Sequence, residues 1–260
     1  MDNRYLIEIQ YLGFRYHGWM KQPGVKTVES MVEKTLGFVF GHGDFKILGA
    51  GRTDAMVSAQ HFAFALFTPS ALPPDFLSRF NANLPPDIRA LAVRPVDESF
   101  NILQSPRVKE YRYFFATDPK PHPFCAPLLA HFPGRLDINA MAEGARCFEG
   151  RHNFVKYCTK PGENTQLVRE ILHCRILENT ELTASFFPDQ TWMLSIRSKG
   201  FLRYQIRLIM GQLAALGRGE ISLDTLCASL SGQDPTPLKT IAPASGLMVH
   251  GISFNGEPFV

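Results

Sequence analysis

"DFKILGAGRTDAMVSAQHFAFALF", residues 44–67, decides the fold. "DFKILGA" reads as a strand running into glycines. "QHFAFALF" reads as another, with Phe62, Phe64 and Leu66 on one face, because strand side chains alternate with period two. Upstream, "RYLIEIQY" (4–11) is rich in β-formers and precedes a helix that Thr27 caps, with Val28, Met31, Val32, Leu36 and Val39 at helical spacing. Downstream, "PPDFLSRFNANLP" opens with Pro at helix-start positions and sets Phe76, Leu77 and Phe80 on one side, and "DIRALAVRPV" is again a strand. The order is β-α-β-β-α-β.

The rest of the chain repeats it. "RVKEYRYFFA" (107–116) is a strand with Tyr111, Tyr113 and Phe115 on one face. Asp137 caps a helix running to residue 148, on which Ile138, Met141, Ala145 and Phe148 are apolar. "LVREILHCRIL" and "QTWMLSIRS" are strands, residues 201–216 a helix, residues 223–230 a shorter one, and "GLMVHGISF" the last strand. Twice over, this order predicts an α+β chain of two ferredoxin-like (split β-α-β) halves, with antiparallel or mixed sheets forming a central cleft. The duplication rests on element order alone, for no repeat is visible in the residues. "NILQSPR" breaks the strand signals, giving an N-terminal half over 1–104 and a C-terminal half over 105–260. Loop-like inserts fall at 117–136 and 156–166, where partners are often gripped.

With 260 residues, 45% of them hydrophobic and 20% charged, the chain has the composition of a soluble globular protein. No apolar run is long enough to span a bilayer, and the opening "MDNRYLIEIQY" lacks the layout of a signal peptide, so a cytoplasmic location without membrane attachment is the expectation. Five cysteines, none in a C-x-x-C pair, argue against a disulfide framework or a thiolate zinc site and read as small buried hydrophobes. His17, His61, His152 and His173 show no metal-ligand spacing. Neither G-x-G-x-x-G nor the phosphate-loop motif is present, so no nucleotide cofactor is expected.

Net charge is only +3, but its distribution is uneven. Residues 191–219 hold Arg197, Lys199, Arg203, Arg207 and Arg218, no acidic residue, and the aromatics Trp192, Phe201 and Tyr204. Such a one-sign stretch either follows the phosphate backbone of RNA or DNA, with Lys199 and Arg203 as candidate contacts, or is just a basic surface. Arg203 and Arg207 are expected in the first two turns of the helix, where the macrodipole disfavours cations, which points to an anionic partner. Arg52 and Asp54, two apart in a strand-like segment, share a face. They form either a surface ion pair or a confined carboxylate that a guanidinium keeps ionised for use as nucleophile or base. Tyr111 either packs the sheet or stacks on a base with its hydroxyl as donor.

Taken together, these segments resemble the TruA-type tRNA pseudouridine synthases. "YLGFRYHGW", "KTVES", "GAGRTDAMVSA", "NANLPPDIRA", "KEYRYFF", "GRHNF", "GFLRYQIRLIMGQL" and "APASGLMV" are similar to that family's motifs in the family's order. The resemblance implies isomerisation of uridine to pseudouridine, in the family norm within the anticodon stem-loop around positions 38–40 of tRNA. It implies Asp54 as the catalytic carboxylate and Tyr111 as the ring that stacks on the target uracil. Arg207 would pair with the carboxylate, Arg52 would hold the everted nucleotide, and Leu247 would line an apolar pocket. It implies a homodimer and neither metal nor organic cofactor. Three positions depart from the pattern: Met56 stands where the family has Gly, Ser58 where it has His, and Met20 where it has Gln. A catalytically inactive RNA-binding protein or RNA chaperone with the same fold accounts equally for the basic segment and the aromatics. A metabolic enzyme with a small substrate is a third reading.

Overall fold

The computed structural model describes residues 3–254. In chain order the elements are β1 (Asn3–Tyr11), α1 (Val28–Phe40), β2 (Lys46–Gly49), β3 (Ser58–Thr68), α2 (Phe76–Asn83), β4 (Ile88–Pro95), β5 (Pro106–Ala116), β6 (Ala130–His131), α3 (Ile138–Arg146), β7 (Gly150–Asn153), β8 (Val168–Glu178), β9 (Trp192–Ser198), α4 (Gln205–Gly217), α5 (Leu223–Ala228) and β10 (Leu247–Phe254). The protein is α+β, and its strand pairings are mostly antiparallel. Two compact units divide it. One holds the chain up to Arg107 together with Val249 onward, and the other runs from Val108 to Met248.

In the first unit β1 lies between β3 and β4, antiparallel to both, with Ile7 opposite Phe64 on one side and Val93 on the other. β2 pairs with β3 from Lys46↔Phe67 to Gly49↔Phe64, and β10 is also a neighbour of β3. The expected face of Phe62, Phe64 and Leu66 is buried, as are Ile7 and Ile9 across from it. Helix α1 starts where its sequence says it does. Thr27 Oγ1 accepts from the Ser30 amide at 3.2 Å while Ser30 Oγ accepts from the Thr27 amide at 3.1 Å. This reciprocal cap is worth about 1 kcal/mol.

The second unit orders its strands β5-β9-β8-β7, all antiparallel, with β6 added parallel to β5. Tyr111, Ile196 and Cys174 lie in register on one face, and Glu110, Arg197 and His173 on the other. The two short strands β6 and β7 are absent from the sequence reading, since two and four residues are too few to show alternation. Helix α4 begins at Gln205, four residues later than its apolar pattern indicated. Residues 201–204 form a turn in which Gln205 Oε1 accepts from the Leu202 amide at 2.7 Å. Leu202 is buried from that turn, so it extends the apolar stripe without being helical.

The cysteines divide. Cys125, Cys158 and Cys174 are buried and free, as small hydrophobes. Cys147 and Cys227 are instead bonded to each other, Cα–Cα 5.9 Å across 80 residues of sequence. Cys147 caps the end of α3 and Cys227 is exposed on α5, and the packing of those helices brings together residues that sequence separation hides. Among the described residues no helix is long and apolar enough to cross a membrane.

Candidate active site

Asp54 lies in the loop between β2 and β3. That segment is a loop between two strands, so strand alternation does not relate Arg52 to Asp54; Arg52 is exposed and Asp54 half-buried. The loop is fixed from within. Thr53 Oγ1 accepts from the Trp19 amide at 3.0 Å and lies 3.3 Å from the Tyr11 hydroxyl. The Val57 amide donates to the Asp54 carbonyl at 3.3 Å, and the Met56 amide to the Tyr16 carbonyl at 2.9 Å. Ser58, buried, accepts from the Gly13 amide at 2.9 Å. The "YLGFRYHGW" segment is therefore the floor of the Asp54 loop.

Two glycines make that floor possible. Gly18 has φ +85°, and a Cβ there would stand 2.2 Å from the Thr53 carbonyl oxygen. A Cβ on Gly49 would meet the Trp19 indole nitrogen at 2.2 Å, so this glycine of "GAG" seats a tryptophan rather than a ligand. Met56 has φ +68°, in the left-handed region where a glycine would be unhindered.

A polar brace stands beneath. The Tyr16 hydroxyl donates to Asp87 Oδ1 at 2.7 Å, and the Arg15 guanidinium donates to the same carboxylate through Nη2 at 2.7 Å and also through Nε. Burial alone would raise the Asp87 carboxyl; the Arg15 and Tyr16 hydrogen bonds outweigh it and hold it below the usual range. Burial and the bond to Asp87 push the Tyr16 hydroxyl up to about 12. The Leu12 amide donates to the Asp87 carbonyl at 3.0 Å. Asp87 thus ties "NANLPPDIRA" to "YLGFRYHGW", two motifs with no sequence proximity.

In the second unit Tyr111 is half-buried on β5, its ring edge-to-face with Phe201 at 5.2 Å and 79°. Such pairs favour one ring orientation. Tyr113, two residues on, is fully buried and donates to the Pro243 carbonyl at 2.8 Å; burial pushes its hydroxyl well above the phenol range. Of the two tyrosines on this face, Tyr113 is locked in the core. Leu247 is buried at the start of β10.

Arg207 sits in the first turn of α4, half-buried. Its Nε donates to the Ala242 carbonyl at 2.7 Å, and the Ala242 amide donates to its carbonyl at 3.1 Å. Arg203 is exposed and precedes the helix, contrary to the expectation that both arginines are helical, because Tyr204 takes the N-cap in left-handed backbone. Lys199 is exposed. The basic stretch is not uniformly available to a phosphate chain: Arg197 Nε donates to buried Glu110 at 2.8 Å.

Sequence reasoning did not single out Thr53, Phe201, Tyr204, Ala242 or Asp87 for these roles. All five lie inside the quoted motifs, so motif membership was the signal. The partners are set by tertiary contacts.

Residues 145–255 match a family model described as tRNA pseudouridine synthase. Over 247 residues the chain is 31% identical to the tRNA pseudouridine synthase A of Acinetobacter baumannii, covering 94% of this chain and 89% of that one. The chain belongs to the tRNA pseudouridine synthase A family. Its relatives of that name include one from Bacillus pumilus, 31% identical over 95% of this chain and 97% of that one. Another, from Methylacidiphilum infernorum, is 30% identical over 96% and 95%. Among solved structures, a chain of an archaeal box H/ACA sRNP Nop10–Cbf5 complex aligns with 80% of this chain and 45% of that one. Its TM-score is 0.35 at 15% identity, too low to define the fold.

Proposed function

We propose that this protein is a tRNA pseudouridine synthase, an isomerase that converts uridine to pseudouridine in the anticodon stem-loop, around positions 38–40. The observation that carries the reading is near-full-length identity of 31% to a tRNA pseudouridine synthase A, together with the "GRTD" stretch in which Asp54 stands. The reaction breaks the bond from ribose C1′ to uracil N1, turns the base, and bonds C1′ to C5; the C5 proton leaves and N1 is protonated. Net atoms are unchanged, which agrees with a site that needs no redox partner.

Asp54 is the nucleophile or base, with Tyr111 stacking on the uracil and moving protons. Arg207 is the cation that keeps the carboxylate ionised. Arg52, Lys199 and Arg203, all exposed, hold the RNA, and Leu247 lines the base pocket. Eversion of the nucleotide costs a few kcal/mol, which stacking and phosphate contacts repay. The strand order β2-β3-β1-β4 with helices α1 and α2 supports a ferredoxin-like first half, and the element order supports a second one from residue 105. The working form is a cytoplasmic homodimer.

Asp54→Asn tests the reading. The variant is expected to bind tRNA with the wild-type affinity and salt dependence, yet to form pseudouridine at least a thousandfold more slowly. Pseudouridine formation by the variant at the wild-type rate, or none by the wild type on total cellular tRNA, overturns it.

A further inference from the structure

Tyr204 is a poor local choice by two criteria. It has φ +62°, a backbone conformation that Gly or Asn adopts cheaply and a residue with a bulky Cβ substituent does not. It is also the N-cap of α4, where Ser, Thr, Asp or Asn is preferred, and its side chain makes no capping hydrogen bond. An outlier of this kind persists where surrounding contacts over-determine it. Here those contacts are cationic. The Arg207 guanidinium carbon lies 5.1 Å from the centre of the Tyr204 ring, and that of Arg203 lies 5.4 Å from it. Both are within cation–π range.

Arg207 is placed against a local electrostatic preference. It stands in the first turn of a helix, where the macrodipole disfavours a cation, and that turn contains no acidic residue. The Ala242 carbonyl fixes the direction of its Nε–H. A guanidinium is planar, and an aromatic face packed against it restricts the rotation of that plane.

We propose that Tyr204 is a positioning residue for Arg207: its ring packs against the guanidinium and restricts its plane, beside the Ala242 carbonyl that accepts from Nε. The same ring lowers the cost of keeping Arg203 and Arg207 close together. The left-handed backbone at residue 204 is what turns the ring onto the arginines before the helix begins. This role rests on the pseudouridine synthase reading of Arg207, and the experiment separates the two.

Tyr204→Phe, Tyr204→Leu and Tyr204→Gly are assayed for kcat, KM for tRNA and melting temperature, with Asp54→Asn alongside. Tyr204→Phe keeps the ring and is expected to retain kcat within about twofold. Tyr204→Leu and Tyr204→Gly are expected to lose roughly fivefold in kcat, the size of one cation–π contact, with KM changed less than about twofold. Tyr204→Gly relieves the backbone and melts above Tyr204→Leu, yet shares its rate deficit; a merely structural role has rate follow melting temperature. Wild-type kcat in Tyr204→Leu, an equal loss in Tyr204→Phe, or a rise confined to KM overturns the role while an inactive Asp54→Asn leaves the site reading intact. An active Asp54→Asn overturns the site reading and the role with it.

Discussion

Met56 and Tyr204 carry side chains through left-handed backbone, one two residues after Asp54 and the other three residues before Arg207. They differ in what holds them. Met56 is held by its backbone, through the amide bond to the Tyr16 carbonyl, and the loop around it hangs on Thr53, Ser58 and the Arg15–Tyr16–Asp87 brace. Tyr204 is held by its side chain, set against two guanidinium groups. In the first region the floor determines the loop and the residue at the outlier is incidental. In the second, the outlier residue is itself the device.

The contrast can be broken most sharply at Arg207. Arg207→Lys removes the Nε donor to Ala242 and the planar group that faces the Tyr204 ring, so kcat is expected to fall about a hundredfold with folding retained, measured by single-turnover pseudouridine formation. A lysine enzyme of near-wild-type rate would mean that charge alone matters there and that orientation does not.

Next in size is the brace. Asp87→Asn is expected to cost about 2 kcal/mol of stability at neutral pH, in denaturant melts, because hydrogen bonds to an ionised group are lost. The Asp87 carboxyl is depressed in the folded state, so its contribution is complete above the ordinary carboxylate value near 4 and disappears as pH falls through the lower folded value. The stability gap between wild type and variant should therefore be constant above about pH 5 and shrink below about pH 4. A gap that is flat down to pH 2 would show that packing, not ionisation, does the bracing.

The smallest effect belongs to Met56. Met56→Gly is expected to raise stability by about 1 kcal/mol at unchanged kcat, since only the backbone penalty is removed. A loss of activity here would make the two outliers alike and give the Met56 side chain a part in choosing the uridine.

Much of the fold is legible in the residues. The Thr27 cap, the alternation of Phe62, Phe64 and Leu66, and the run of strand, helix, strand, strand each follow from local periodicity and are found in place. The site is legible as a set of residue types but not as a geometry. Nothing local announces that Tyr204 leaves the helical region, because Leu202 keeps the apolar spacing going through the turn. Nor can a one-dimensional pattern reveal that a backbone carbonyl at Ala242 is the anchor of Arg207, since carbonyls are identical at every position. The Cys147–Cys227 pair escaped for the same reason: its proximity belongs to the packing of α3 on α5.

The last strand has a consequence for how the protein is made. Val249 to Phe254 completes the unit that carries Asp54, but residues 108–248 must leave the ribosome first. At cellular elongation rates that interval is on the order of ten seconds. Throughout it the early strands wait beside an unfilled sheet position at β3, the kind of exposed edge that recruits chaperones or wrong partners. The Asp54 loop is synthesised early, and the strand that completes its unit follows only after residue 248.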